Sequence, residues 1–263
     1  MRFWKTVIHL HTSYSHDSNL TPATLVAHAR RESVDCVAIT DHNEIAGALA
    51  VRALGGVRVI VGEEITTADG HLIGLFLERA IRSGRSAEAT IDEIHAQGGL
   101  ALAPHPFCTL CALNLGAATE RIAARLDAVE IHSAQNPLPW QDRRAARFAQ
   151  RRGLAAYAGS DGHLRGRLAP AYQWMEAFSD PSSFLDSLRA AQLVCGRFGL
   201  LYLARMGLRH VWDKFAPGPL PGFGVHCRTR GEVGDDGADS TLARGPGASQ
   251  PRPAPLTPGD ERA

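Results

Sequence analysis

Apolar, strand-like runs that end on histidines or carboxylates recur along this chain, with amphipathic stretches of helical period between most of them. The pattern predicts strands over residues 6–10, 36–40, 57–61, 71–76, 100–103, 128–132 and 155–158. It predicts helices over 22–32, 45–54, 87–97, 118–125, 140–152 and 182–192. Thr21 before Pro22 is a helix start, a hydroxyl cap followed by proline at the first helical position. Gly98-Gly99 and Gly153 are stops. Such alternation implies an α/β fold with a largely parallel sheet flanked by helices. Seven strands without a G-x-G-x-x-G after the first suit a barrel better than a dinucleotide-binding sheet. In β/α barrels chemistry gathers at the C-terminal strand ends, where the polar clusters fall.

The clusters are weak singly. His9-Leu10-His11 has the i, i+2 spacing that turns both imidazoles to one face of a strand; two histidines on a half-buried strand would look the same. Asp17 follows in a polar turn, as an Asx-turn residue or a ligand, with His16 a competing ligand beside it. In Thr40-Asp41-His42-Asn43, Asp41 either orients a ligating histidine or caps the next helix. Glu63 and Glu64 are adjacent in an extended chain, so only one can point inward and bridge metals. His71 opens a new strand, as a ligand or an unpartnered hairpin histidine. Prolines on both sides of His105 fix the backbone, which suits a ligand or a rigid turn. His132 closes the sixth run as a ligand or a neighbour of one, and Asp161 and His163 close the seventh, again at i, i+2. Independent histidines would not track strand ends so regularly. The joint pattern predicts one polar site able to hold several metal ions, an arrangement suited to phosphate ester hydrolysis.

Composition narrows the alternatives. A chain of 263 residues with 44% hydrophobic content can bury the core of one large domain. The net charge of +1 provides no global field for nucleic acid or membranes. No apolar run reaches the roughly 20 residues of a membrane span, and residues 1–6 lack a signal-peptide pattern, so cytoplasmic location is the expectation. Five dispersed cysteines argue against a disulfide framework. Cys108 and Cys111 form a lone C-x-x-C, read as ordinary loop thiols ahead of a redox or metal pair. From about residue 216 the chain becomes rich in Gly, Pro, Ser, Arg and Asp, and is read as a disordered tail in which His226 and Cys227 make no site.

The series His9-Leu10-His11, Ser15-His16-Asp17-Ser18, Ile39-Thr40-Asp41-His42-Asn43, Gly62-Glu63-Glu64-Ile65-Thr66-Thr67, Pro104-His105-Pro106 and Gly159-Ser160-Asp161-Gly162-His163 resembles the PHP family (polymerase and histidinol phosphatase), in order and over residues 5–215. The resemblance implies a distorted seven-stranded (β/α) barrel over residues 1–215 with a trinuclear site at the C-terminal strand ends, and a tail over 216–263. It implies that His9, His11, Glu64 and Asp161 hold one ion. Glu64 would bridge to a second held by His71 and His105, and Asp17, His42 and His163 would hold a third. Glu64, Asp161 and His163 then carry the catalytic assignment, with Asp41, His16 and His132 behind the ligands or as substitutes for them. The stretch from Gly196 to Trp212 resembles a basic C-terminal helix of some members, which would supply phosphate contacts.

The implied chemistry is in-line attack on phosphorus by a hydroxide shared between ions. Mixed nitrogen and oxygen donors fit two or three Mn, Zn or Fe ions better than all-oxygen Mg or Ca sites. Arg165, Arg167 and Arg197 are the candidate phosphate clamps. The expected partner is a phosphorylated small molecule or nucleotide, with no stable binding of long duplexes and no membrane. The alternatives are a 3′ or 5′ exonuclease on short nucleic acids, and a non-catalytic PHP module that props up a larger assembly.

Overall fold

The computed structural model describes residues 2–111 and 113–215. The expected tail, with His226 and Cys227, lies outside the described residues. Nine strands and seven helices follow in the order β1 (Phe3–Leu10), α1 (Pro22–Arg31), β2 (Cys36–Ile39), α2 (Ala46–Leu54), β3 (Arg58–Thr67), β4 (Gly70–Leu75), α3 (Ala87–Ala96), β5 (Leu100–Ala103), α4 (Ala118–Ile122), β6 (Ala128–Ser133), α5 (Pro139–Arg152), β7 (Ala155–Gly162), β8 (Ala171–Glu176), α6 (Pro181–Arg189), β9 (Gln192–Cys195) and α7 (Leu200–Phe215). Strands β1 to β7 pair in sequence order, and β1 closes the ring by pairing with both β2 and β7. The result is a closed seven-stranded mixed barrel with outer helices, the α/β architecture that the alternation predicts.

One strand runs backwards. β4 is antiparallel to both β3 and β5, whereas the other barrel pairs are parallel. Only Ala68 and Asp69 separate β3 from β4, and so short a link can make a hairpin but not a parallel crossover. Reversal has a consequence for the site. His71, at the start of β4, pairs with Thr66 near the end of β3 and so lies at the same end of the barrel as the C-terminal ends of its parallel neighbours.

Strand alternation divides the core. Val37 and Ile39 of β2 pack outward with Leu25 and Val51 of the flanking helices. Cys36 and Ala38 of the same strand face inward with Ile8, Ile60, Leu102 and Tyr157, and Phe184 and Leu188 of α6 belong to this inner cluster. β1 breaks its own alternation. Val7 and Leu10 both lie in the outer layer, three positions apart, because the register slips between them and His9 takes a left-handed φ of 67°. Strict alternation would have put His9 with Val7 on the helix side. The bulge turns it inward with His11.

Local signals set the helix ends. Thr21 caps α1 by accepting from Thr24 N, and Gly153, at φ 65°, ends α5. Asp41 is not a helix cap: α2 begins after Ile45 with no side-chain cap, and Asp41 is engaged elsewhere. β8 and β9 escape the sequence pattern. β8 pairs with the first half of β1, Phe3–Thr6, outside the closed ring, and its buried Gln173 hides the apolar alternation. That side chain accepts from Ala158 N and donates to Thr6 O. The reading of Cys108 and Cys111 as free thiols is corrected. The turn after His105 brings their α-carbons to 5.3 Å, within disulfide reach, and the sulfurs are bonded.

Candidate metal centre

Glu64 stands at the middle of the barrel mouth. Its Oε2 lies 3.4 Å from His9 Nε2, 3.3 Å from His11 Nε2 and 3.3 Å from His42 Nδ1. Its Oε1 lies 3.1 Å from His71 Nδ1 and 3.2 Å from His105 Nε2. Asp161 Oδ1 adds contacts of 3.4 Å to His9 and 3.6 Å to His11. On the far side Asp17 Oδ2 lies 3.3 Å from His42 Nε2 and 3.2 Å from His163 Nε2. These nine side chains come from β1, β3, β4 and β7 and from the turns after β1, β2, β5 and β7. They fall into four overlapping groups with ligand-competent geometry: His11, Asp17, His42 and His163; His9, His11 and Asp161; His9, Glu64 and His105; and His42, Glu64 and His71.

Hydrogen bonds behind the cluster set which nitrogen faces inward. Asp41 accepts from Thr12 N at 2.5 Å, Thr12 Oγ1 at 2.7 Å and Ser15 Oγ at 2.9 Å. Ser15 has one proton and gives it to Asp41, so it must accept from His11 Nδ1, 3.1 Å away. His11 Nε2 is therefore unprotonated and aims a lone pair at Glu64 and Asp161. Burial, with His163 stacked at 4.0 Å, pushes the His11 imidazole down to about 3 and keeps it neutral. His9 Nδ1 donates to Glu130 Oε1 at 3.1 Å, and Glu130 Oε2 accepts from His105 N at 2.5 Å. Burial alone would depress His9, but Asp161, Glu64 and Glu130 outweigh it and hold the imidazole well above its usual range. Burial likewise raises Glu64, yet His71, His9 and His42 hold its carboxyl well below the ordinary carboxylate range.

The set fits divalent ions on three counts. His11 Nε2 is buried with no hydrogen-bond partner among the described residues, which costs free energy unless a cation takes the lone pair. The carboxylate–imidazole distances match the spacing of two donors that share an ion at about 2.1 Å from each, roughly 3.0 Å at a right angle and 3.4 Å at a tetrahedral one. Three positions, His9, His105 and Asp161, hold left-handed φ values of 67°, 26° and 52° without being glycine. Strain of that kind, of order 1–3 kcal/mol per residue, persists where surrounding structure imposes it, and it clusters at functional sites.

Other candidates sit elsewhere. Glu63 faces away from the cluster and accepts from Ile81 N at 2.8 Å. His16 lies against the His42 ring at 5.4 Å, and it is Asp17 that belongs to a ligand group. His132 points its ring nitrogens at Asp142 Oδ2, 3.0 Å, and Gly196 O, 2.8 Å, tying β6 to α5 and to the segment after β9. Arg197 pairs with Asp142 as well. Arg167 lines a surface hollow with Lys5 and Arg31, and Arg165 is exposed with its amide on Asn19 Oδ1. Neither Arg165, Arg167 nor Arg197 is among the residues that line the cavity over the cluster.

Sequence reasoning missed three supports of the centre: Glu130 behind His9, Ser15 behind His11, and Gln135, whose Nε2 lies 2.9 Å from His163 Nδ1. Glu130 had a signal, since it closes a strand run as the ligand candidates do. Ser15 and Gln135 had none, because polar turn residues are common and only the folded turns show that Ser15 meets the His11 ring and Gln135 the His163 ring. Gly159 makes room for this shell: a Cβ there would sit 1.5 Å from Glu130 Oε1.

Comparison with known proteins agrees with this architecture. A PHP domain model matches residues 8–120, and a PHP-associated model matches residues 139–193. The uncharacterized protein MJ1587 of Methanocaldococcus jannaschii is 40% identical over 144 residues, 49% of this chain and 82% of that protein. This chain belongs to the PHP family. Among solved structures, a two-domain protein from Bacteroides vulgatus, described as containing a predicted PHP-like metal-dependent phosphoesterase, superposes with a TM-score of 0.60 at 18% identity, over 79% of this chain and 69% of that one. A lesion-specific endonuclease from Pyrococcus furiosus gives 0.57 at 13% identity, over 73% and 58%. At those identities the likeness is one of fold.

Proposed function

We propose that this protein is a metal-dependent phosphoesterase that hydrolyses a phosphate ester of a small metabolite or nucleotide. The observation that carries the reading is Glu64, a buried carboxylate with five imidazole nitrogens within 3.4 Å. No arrangement of protons serves five such contacts as well as bridging cations do. His9, His11, Glu64 and Asp161 would hold one ion, Glu64, His71 and His105 a second, and Asp17, His42 and His163 a third, each Mn, Zn or Fe. The four geometric groups support this in outline, although they also join His42 to His71 through Glu64. Ions in this setting acidify water and neutralise charge that builds on phosphoryl oxygens.

The chain supplies orientation. Glu130 and Ser15 fix the tautomers of His9 and His11, and Gln135 Nε2, which donates to the Asp161 carbonyl, lies beside His163 Nδ1. His132 is occupied by Asp142 and Gly196 and does not line the cavity, so no side chain is assigned to protonate the leaving group. Residues 1–215 would be the working unit, and the cytoplasm its compartment. No helix among the described residues is long and apolar enough to cross a membrane.

The test is a panel of phosphomonoesters, nucleotides and short oligonucleotides offered to metal-reconstituted protein, with His9→Ala as control. Hydrolysis that the substitution abolishes supports the reading; a metal-loaded protein inert on the whole panel sinks it. The nuclease reading draws support from the fold shared with the lesion-specific endonuclease. Faster turnover of oligonucleotides than of mononucleotides would favour it. Metal content separates the reading of an inert module, which need not retain three ions.

A further inference from the structure

The cavity over the cluster, about 590 Å³, has two unlike halves. Its floor is the metal-binding set. Its wall and rim are Leu110, Leu113, Leu200, Leu203, Ala204 and Met206, from the disulfide-closed loop after β5 and from α7. Neither Lys nor Arg lines it among the described residues. The uncharged polar side chains in it are already engaged. Asn43 and Thr66 bond each other, with Asn43 Oδ1 accepting from Thr66 N at 2.8 Å and Asn43 Nδ2 donating to Thr66 Oγ1 at 3.1 Å. Gln135 is held by His163 and Asp161. Leu110, Leu113 and Leu200 are 67%, 54% and 87% exposed, an apolar rim with no occupant among the described residues.

Away from its floor and from His16, which also lines it, such a cavity has no cationic side chain to receive a second anionic group. The surplus positive charge of two or three divalent ions over the Asp17, Glu64 and Asp161 carboxylates would take a phosphoryl group. A further phosphate or carboxylate directed to the side of α7 and the loop would meet leucine and methionine and lose its water without a partner. An alkyl or aryl body would bury apolar surface against the same wall.

We propose that the site is selective for phosphate monoesters of uncharged, apolar alcohols, with Leu203 and Met206 of α7 and Leu110 and Leu113 of the loop as the specificity-determining contacts. The proposal rests on the phosphoesterase reading and narrows it from phosphorylated metabolites in general to amphiphilic ones. In this reading α7 contributes its apolar residues Leu203 and Met206 to substrate selection.

The test uses the full metal-loaded chain. Rates are compared for methyl, butyl and hexyl phosphate and for hexane-1,6-bisphosphate, and calorimetry compares hexylphosphonate with hexane-1,6-bisphosphonate, whose second group is too distant to chelate the same ions. The expected result is a rise in kcat/KM of about two- to fourfold per methylene, the upper figure corresponding to about 0.8 kcal/mol. Each six-carbon bis-anion should be at least about tenfold worse than its mono-anionic partner, the difference expected when a charged group enters an apolar wall unpaired. Leu203→Arg should erase or invert that preference in both rate and binding, and Leu203→Met should keep it. Equal rates along the series, or tighter binding of the bisphosphonate to the unaltered protein, would overturn the proposal. Selective binding of hexylphosphonate with no turnover of any ester would sink the phosphoesterase reading while leaving the cavity's preference standing; indiscriminate turnover would do the reverse.

Discussion

Glu130 shows how far the centre depends on groups that face away from it. It touches His9 through one oxygen and the His105 amide through the other, so it fixes two ligand candidates on different strands. Glu130→Gln keeps the volume but removes the charge that sets the His9 tautomer. Loss of an orienting partner of this kind costs about 10–100-fold in metal affinity, measurable by competition with a chromogenic chelator. Gly159→Ala should lose affinity similarly, because its methyl would occupy the space of Glu130 Oε1. An affinity unchanged in both variants would remove Glu130 from the account. Glu63 offers a separate pH test. Burial, with Glu44 and Glu93 nearby, raises its carboxyl to about 7 from an ordinary value of 4.5. The folded state therefore keeps a proton that the unfolded state releases, so stability falls as pH climbs from about 4.5 through 7. In metal-stripped protein, Glu63→Gln should stabilise at pH 8 by up to about 3 kcal/mol and change little at pH 4, read from urea unfolding at the two values.

At the scale of elements, what the sequence displays and what it conceals separate by the range of the interaction. Helix starts and stops were legible because Thr21-Pro22 and Gly153 act within a few residues of themselves. The polar strand ends were legible for the same reason. The reversal of β4 was implicit in the short β3–β4 link but could not be weighed against the parallel pattern around it. The β1 bulge was hidden, since which face of a strand turns inward is settled by β2 and β7. The pairing of Cys108 with Cys111 was hidden too, because a C-x-x-C reads alike as thiols, redox pair or ligands until the turn is known. That bond closes a very short loop, so chain entropy assigns it about 2 kcal/mol. Cys111→Ser should lower Tm by about 4–8 °C, and reductant should bring the unaltered protein down to the same temperature. A variant that melts with the unaltered protein under oxidising conditions would show the link to be without weight.

Across the whole molecule, ring closure and the candidate metal centre are one problem. β1 is shared among β2, β7 and β8, and the barrel shuts where its second half meets β2 and β7. His9 and His11 leave from that closing strand and reach Glu64 of β3 and Asp161 of β7. Bound ions would therefore tie β1 to strands on both sides of the seam. Without them the same mouth holds three carboxylates and a ring of imidazoles in burial, some with lone pairs facing no donor. Ion binding to the folded state alone contributes RT ln(1 + [M]/Kd), about 2.7 kcal/mol per ion at a hundredfold excess over Kd. Stripping with a chelator should lower Tm by roughly 2–4 °C for each kcal/mol removed, and Mn or Zn should restore it. The seam gives that prediction a location. Amide exchange should quicken most in β1 and in the ends of β2 and β7, and least in α6, which buries Phe184 and Leu188 and supplies none of the ligand candidates. Uniform loosening of the barrel on metal removal would mean that the ions stabilise the fold as a whole, and that closure at β1 is secured by its strand pairing without them.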